Sequence, residues 1–133
     1  MLYALLAYHD ETEVLGWTDA EDAAQMDRLA PVHERLAEEG RLGPAARLGA
    51  TSTAVTVGSK PMVIDGPFIE TKEALLGFYL LDCGSLDEAV QIAKDLKAAN
   101  PGAIYEVRPV VTFLPGAPLA RADGGPELVR PRR

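Results

Sequence analysis

Three side chains in the sequence could act as a general acid or base near neutral pH: His9, His33 and Asp65. An imidazole titrates close to pH 7, and a carboxylate accepts a substrate proton efficiently when partial burial raises its pKa toward neutrality. His9 follows an apolar segment and precedes Asp10 and Glu11, at a place where a predicted strand meets a loop. Such strand ends commonly carry chemistry, so these residues are the candidate proton-transfer groups.

Each of the three also has a structural interpretation. His33 lies on the apolar stripe of a predicted helix, where a hydrogen-bonded core histidine is the alternative to a base. His9 could be an exposed turn residue. Asp65 could bond the amides of a turn in which Gly66 permits unusual backbone angles and Pro67 fixes its own. A rigid turn of this kind could equally direct Asp65 into a cavity between subunits.

A mixed-charge run follows this turn and contains Glu70, Lys72 and Glu73. Such runs are usually solvated surface. The alternative is a binding role, in which Lys72 pairs with an anionic group of a substrate or with the two neighbouring glutamates.

Composition excludes several kinds of site. Cys83 is the single cysteine, and its neighbour Asp82 disfavours the thiolate, so we expect neither a disulfide nor a cysteine nucleophile. No histidine pair has a ligand spacing and no phosphate-binding loop is present, so we expect no metal ion and no cofactor. The net charge of −7 argues against direct binding to nucleic acid.

Two helices are predicted from capping signals. Thr18 with Glu21 begins the first, whose apolar positions recur at helical spacing until Gly40. Ser85 with Glu88 begins the second, which ends at the Asn-Pro-Gly run of residues 100–102.

Six apolar segments bounded by turn residues predict strands. They cover residues 2–8, 42–48, 54–57, 61–64, 75–81 and 104–113. Segments 2–8 and 75–81 are apolar at both alternating sets of positions, so both faces of these two strands must be covered. In a ferredoxin-like split βαβ arrangement the corresponding strands are central. We therefore predict an α+β fold with an antiparallel sheet and two helices on one face.

The opposite sheet face would be bare in a monomer, so we expect a second copy to cover it and to form a dimeric α+β barrel. On the last strand, four side chains are predicted to face the core and two to face the partner or its rim. The first set is Tyr105, Val107, Val111 and Phe113; the second is Glu106 and Arg108. Pro109 predicts an edge strand. A cleft between the two copies is the expected ligand site.

The sequence of 133 residues suits one domain, predicted to cover 1–114, followed by a tail rich in Pro, Gly and Arg at 115–133. The tail is expected to be mobile, with a flexible basic arm as the alternative. No long apolar segment or secretory signal is evident, so we expect a cytoplasmic protein without a membrane span.

The segment 65–73, Asp-Gly-Pro-Phe-Ile-Glu-Thr-Lys-Glu, followed by Gly77-Phe78-Tyr79, resembles the signature of the YCII-related family in its DGPF branch. The resemblance extends from Met1 to about Phe113. It implies a dimeric α+β barrel with a ferredoxin-like protomer. It also marks several residues as binding candidates: Gly66, Pro67, Phe68, the charged run of Glu70, Lys72 and Glu73, and Arg108.

The resemblance implies two functions. Relatives in the wider superfamily include lyases, dehalogenases and isomerases that act on ring compounds through a histidine and an aspartate. DGPF-type proteins are also associated with extracytoplasmic-function sigma factors. The alternatives are therefore a small-molecule enzyme or binder, with an isomerase- or lyase-like proton transfer, and a non-catalytic regulatory partner of a sigma factor. His33 does not align with the histidine of the enzymatic relatives.

Overall fold

The computed structural model describes residues 1–60 and 62–118. The strands are β1 (Leu2–Asp10), β2 (Leu42–Arg47), β3 (Val55–Val57), β4 (Val63–Asp65), β5 (Glu73–Asp82) and β6 (Ile104–Pro109). The helices are α1 (Glu11–Leu15), α2 (Asp19–Glu38) and α3 (Leu86–Ala99), and a 3₁₀ turn covers Thr51–Thr53. The predicted Pro-, Gly- and Arg-rich tail (115–133) falls largely on residues 119–133, outside the described part.

The main sheet has the strand order β2-β5-β1-β6, and all neighbouring strands are antiparallel. Strands β1 and β5 are central, as their two apolar faces predicted. Leu5 pairs with Tyr79 on one side and with Val107 on the other. Helices α2 and α3 pack on one face of this sheet, which confirms the predicted α+β fold. Strands β3 and β4 form a separate hairpin.

Both long helices begin where their capping signals predicted. Thr18 Oγ1 accepts from the amide of Glu21 at 3.1 Å, and Glu21 Oε1 accepts from the amide of Thr18 at 3.0 Å. Ser85 Oγ accepts from the amide of Glu88 at 3.2 Å. These bonds satisfy amides that have no partner within the helix.

The core lies between the two long helices and the sheet. Its fully buried leucines come from both layers: Leu5, Leu36, Leu81 and Leu96. Burial of one such side chain contributes about 1.5–3 kcal/mol. The other face of the sheet, which we call the open sheet face, contacts neither helix. It includes Ala4, Leu6, Tyr8, Phe78, Leu80 and Ile104.

The predictions for the end of the last strand were wrong. The last strand ends at Pro109, and Val111 and Phe113 are 96% and 43% exposed instead of facing the core. The ladder between β6 and β1 stops at the bond from the Val110 amide to the Leu2 carbonyl, because β1 begins at Leu2. Tyr105 and Val107 do pack against the core, as predicted.

The first strand is longer than predicted and leads directly into an unpredicted short helix. Asp10 ends β1, and its side chain accepts from the amide of Thr12 at 3.0 Å to begin α1. His9 therefore lies within a strand. Both outer strands contain a proline, Pro44 in β2 and Pro109 in β6.

Candidate active site

His9 is a buried histidine near the end of a central strand. Tyr3, Leu5 and His9 are all buried and share one face of β1, because alternate residues of a strand point the same way. His9 pairs with Ala74 of β5 and is only 5% exposed. The interpretation of His9 as an exposed turn residue was wrong, and its role as a base stays a prediction.

The hydrogen bonding of His9 defines its neutral tautomer. Nδ1 lies 3.3 Å from the carbonyl oxygen of Asp10, which can only accept, so Nδ1 carries the hydrogen. Nε2 is then a lone-pair acceptor. Within residues 1–60 and 62–118, no group donates to this buried nitrogen. A buried acceptor without a donor costs about 1–3 kcal/mol, and a catalytic role is one explanation for such a group.

Two residues close the space around the imidazole. The Trp17 ring meets the His9 ring edge-on, with centroids 5.5 Å apart and an interplanar angle of 84°. A Cβ atom added to Gly102 would lie 2.7 Å from His9 Nε2 and 3.3 Å from Glu13 Oε1. The turn after α3 therefore covers Nε2, and the carboxylate of Glu13 borders the same small space.

A cleft of about 330 Å³ opens beside this histidine. It is lined by His9, Glu13, Trp17, Glu21, Ala24, Gln25, Arg28, Asn100, Pro101 and Gly102. The wall on α2 is fixed by a buried glutamine: Gln25 Nε2 donates to the Ala99 carbonyl at 2.8 Å, and Gln25 Oε1 accepts from Arg28 at 2.5 Å. These bonds attach α2 to the C-terminal end of α3, where a cation is favourable.

Sequence reasoning missed Gln25, Arg28, Trp17 and Gly102. They belong to three separate segments, and only the folded chain brings them to the end of β1. The available signal was the alternation of Tyr3, Leu5 and His9, which places His9 on the same face as two large core residues.

His33 is a half-buried histidine that has a hydrogen-bond partner. Its Nε2 lies 2.8 Å from the hydroxyl oxygen of Tyr79. Burial lowers the pKa of His33, and burial followed by the charge of Tyr105 raises the pKa of Tyr79. The arrangement agrees with the structural interpretation of His33, and this residue is not among those that line the cleft.

Asp65 ends β4 and is exposed in the chain. Gly66 has a φ of 98°, its amide donates to the Ala54 carbonyl at 2.7 Å, and its carbonyl accepts from Thr56 Oγ1 at 2.8 Å. Gly66 therefore has the unusual backbone angle that was predicted, but the Asp65 side chain bonds none of the turn's amides among residues 1–60 and 62–118. The cleft beside His9 does not include Asp65. A catalytic role for Asp65 stays a prediction.

The remaining binding candidates do not line the His9 cleft either. Pro67 is half-buried, Phe68 is 82% exposed, and Glu70 and Lys72 are exposed. Glu73 is half-buried and pairs with Asp10.

Arg108 forms an ion pair with Glu106 at the edge of the open sheet face. The position of both side chains on this face follows from the pairing of Glu106 with Leu6 and of Arg108 with Ala4. Their role in binding a ligand stays a prediction.

Cys83 is buried beneath the start of α3. Burial, and after it the Glu88 carboxylate, raises the pKa of its thiol. The neighbouring Asp82 contributes less than either. A raised pKa disfavours the thiolate, which is the reactive form.

No three or more His, Cys, Asp or Glu side chains among the described residues are grouped to hold a metal ion. None of the helices in residues 1–60 and 62–118 is long and apolar enough to span a bilayer.

Comparison with known families identifies the one to which the chain is similar. Residues 1–114 match the YCII-related domain. The chain belongs to the YCII-related family. This YCII-related protein is 50% identical over 120 residues to an uncharacterised protein of Rhizobium meliloti (strain 1021), covering 87% of this chain and 97% of the relative.

A solved structure similar to this YCII-related protein is that of 5-chloro-2-hydroxyhydroquinone dehydrochlorinase (TftG) from Burkholderia phenoliruptrix AC1100, in complex with 2,5-dihydroxybenzoquinone. The two are 14% identical, with 83% of this chain and 93% of that chain covered and a TM-score of 0.42.

Proposed function

We propose that this YCII-related protein binds a small molecule in the cleft beside His9 and transfers a proton with His9 as the general base. One observation carries the proposal: the Nε2 lone pair is buried next to the cleft and receives no hydrogen bond from the described residues. Such a lone pair can accept a proton from a bound substrate once the turn at Gly102 no longer covers it.

The surroundings of His9 support this role. When Nε2 takes a proton, the Asp10 carbonyl keeps its bond to Nδ1–H and so holds the ring in position. The Glu13 carboxylate near Nε2 stabilises the imidazolium. Gly102 covers Nε2, so the substrate reaches it when the short turn after α3 shifts. Proton abstraction of this kind is the first step of an isomerase- or lyase-like reaction.

Association with a second copy through the open sheet face is part of the same proposal. Leu6, Phe78 and Leu80 form an apolar surface that neither long helix covers. Burial of such a surface is favourable, and an isologous pair of copies achieves it with one surface. The His9 cleft lies on the helix side, so it does not depend on this contact.

The test is exchange of carbon-bound protons in D₂O, followed by NMR for a panel of small ketones, lactones and amino ketones. The wild-type protein should catalyse exchange in at least one compound. His9→Gln should reduce that rate by roughly 10²–10⁴-fold, the usual contribution of a general base. His33→Gln should leave the rate unchanged. Full exchange activity in the His9→Gln protein would contradict the proposal.

A further inference from the structure

Arg28 is the arginine of the His9 cleft, and it differs from the other arginines in its partners. The remaining arginines of residues 1–60 and 62–118 each pair with a carboxylate: Arg35 with Asp95, Arg41 with Glu88, Arg47 with Asp22 and Arg108 with Glu106. Arg28 forms no ion pair with any carboxylate in these ranges. In a chain with 20 acidic and 13 basic residues, an arginine without a carboxylate partner is an exception.

The sequence of α2 accounts for the missing ion pair. Side chains three or four residues apart on a helix are neighbours. At these spacings from Arg28 the helix has no acidic residue, since the positions hold Ala24, Gln25, Pro31 and Val32. Of the two carboxylates that line the cleft, Glu21 accepts through Oε1 from the amide of Thr18. Glu13 borders the covered space at Gly102, so neither carboxylate neutralises Arg28 by direct contact.

The guanidinium of Arg28 is held in place by neutral groups. Nη2 donates to Gln25 Oε1 at 2.5 Å, and Nε donates to the Ala99 carbonyl at 3.4 Å. The carbonyl groups at the end of α3 carry only a partial negative charge, so they do not balance the full charge of Arg28. Nη1 bonds no acceptor within residues 1–60 and 62–118, and its two hydrogens therefore remain for a ligand.

We propose that Arg28 is the subsite for a carboxylate group of the substrate. This inference rests on the proposed function, and it names the substrate class: a small carboxylate with an apolar or aromatic body. A guanidinium binds a carboxylate through charge-assisted hydrogen bonds, and one already held by neutral partners needs little rearrangement to do so. Trp17 and Ala24 line the same cleft of about 330 Å³ and offer apolar surface to the body of such a molecule. The net charge of −7 disfavours anions over the surface as a whole, so selection of a carboxylate depends on Arg28.

The test uses three probes of similar size: benzoate, benzamide and benzylammonium. Trp17 is the single tryptophan of the chain and lines the cleft, so its indole ¹⁵N–¹H signal reports binding there. Benzoate should shift this signal at concentrations about tenfold lower than benzamide, the factor expected for one charge-assisted hydrogen bond.

Arg28→Gln should remove this preference, so that benzoate and benzamide act at similar concentrations. Arg28→Lys keeps the positive charge and should retain part of the preference. Arg35→Gln is the matched control, because it removes one positive charge from the same helix outside the cleft and should leave the preference unchanged. The response to benzamide measures whether the cleft persists in each variant.

Three results would overturn the carboxylate subsite: no response of the wild-type protein to benzoate, binding of benzamide or benzylammonium at least as tight as that of benzoate, or a benzoate preference that survives Arg28→Gln. Should Arg28→Gln lose its response to benzamide as well, Arg28→Lys decides, and absence of the preference in that variant would overturn the subsite. Each of these results leaves the proposed function to its own test, proton exchange in the His9→Gln protein. If His9→Gln keeps full exchange while the benzoate preference depends on Arg28, the proposed function fails and the subsite stands.

Discussion

The hydroxyl oxygen of Tyr79 lies 2.8 Å from Nε2 of His33 and so joins the central strand β5 to helix α2. His33 lies on the apolar stripe of α2 and was a candidate general base. The bond to Tyr79 gives its Nε2 a partner within the fold. The two histidines of the chain thus differ in one respect: Nε2 of His33 has a partner, whereas no group in residues 1–60 and 62–118 donates to Nε2 of His9.

Loss of the Tyr79 hydroxyl should destabilise the protein. Tyr79→Phe removes the partner of a half-buried nitrogen, so the free energy of unfolding should fall by about 1 kcal/mol in urea titrations. Tyr3→Phe is the matched control, because its hydroxyl has only a 3.5 Å contact with the Met1 sulfur. An equal loss in both variants would argue against a specific role for the His33–Tyr79 bond.

Stability should fall as the pH is lowered through the histidine range. Burial lowers the pKa of His33 in the folded state, so the unfolded chain binds more protons just below neutrality. Its stabilising contribution is complete above the ordinary histidine pKa and is lost as the pH falls toward the lowered value. Urea unfolding at about pH 7 and about pH 5 should show a smaller decrease for His33→Gln than for wild type. An unchanged decrease would refute this assignment.

Gly102 should tolerate no side chain. Its backbone is not in the left-handed region, so the cost of Gly102→Ala comes from the 2.7 Å approach of the new Cβ to His9 Nε2. We expect a loss of about 1–3 kcal/mol, measured by thermal or urea unfolding. Gly58→Ala is the control, since its Cβ would meet only the Lys60 carbonyl at 3.7 Å. Combination with His9→Ala should recover part of the loss, and strict additivity would contradict the contact.

Gly66 should be required for its backbone angle. Gly66→Ala places a Cβ at a φ of 98°, which costs about 1–2 kcal/mol although open space surrounds the site. Asp65→Ala, next to it on an exposed strand end, should change the free energy of unfolding by less than about 0.5 kcal/mol. Equal effects of the two variants would mean that the Asp65 side chain, and not the backbone of Gly66, maintains the turn.

Self-association should depend on the open sheet face. Phe78→Glu places a charge in its centre, opposite Leu6, and should convert dimers to monomers in sedimentation velocity at micromolar concentration. Asp87→Lys, an exposed change at the start of α3, controls for the altered surface charge. A wild-type protein that sediments as a monomer at these concentrations would remove the dimer from the proposed function.

Local signals predicted much of the fold. The capping pairs Thr18–Glu21 and Ser85–Glu88 act over three residues, so the sequence alone defines both helix starts. The apolar faces of β1 and β5 likewise predicted their central positions. The end of β6 could not be predicted in this way, because it depends on where its neighbour β1 begins.

The candidate site was less accessible from the sequence because its contacts are long-range. Gln25 reaches the Ala99 carbonyl across 74 positions of the chain, and Gly102 closes over His9 from the other end of the domain. No periodicity encodes such contacts. Asp65 belongs to the more conspicuous motif, yet the single chain leaves it exposed to solvent.

The prolines of the two outer strands limit how copies of this chain can meet. Pro44 and Pro109 each lack an amide hydrogen at a margin of the main sheet. An incoming strand would therefore find the hydrogen-bonding ladder interrupted on either side, so continuous growth into a fibril is disfavoured. Copies must then meet through side-chain surfaces, and such a contact can be complete once two copies have paired.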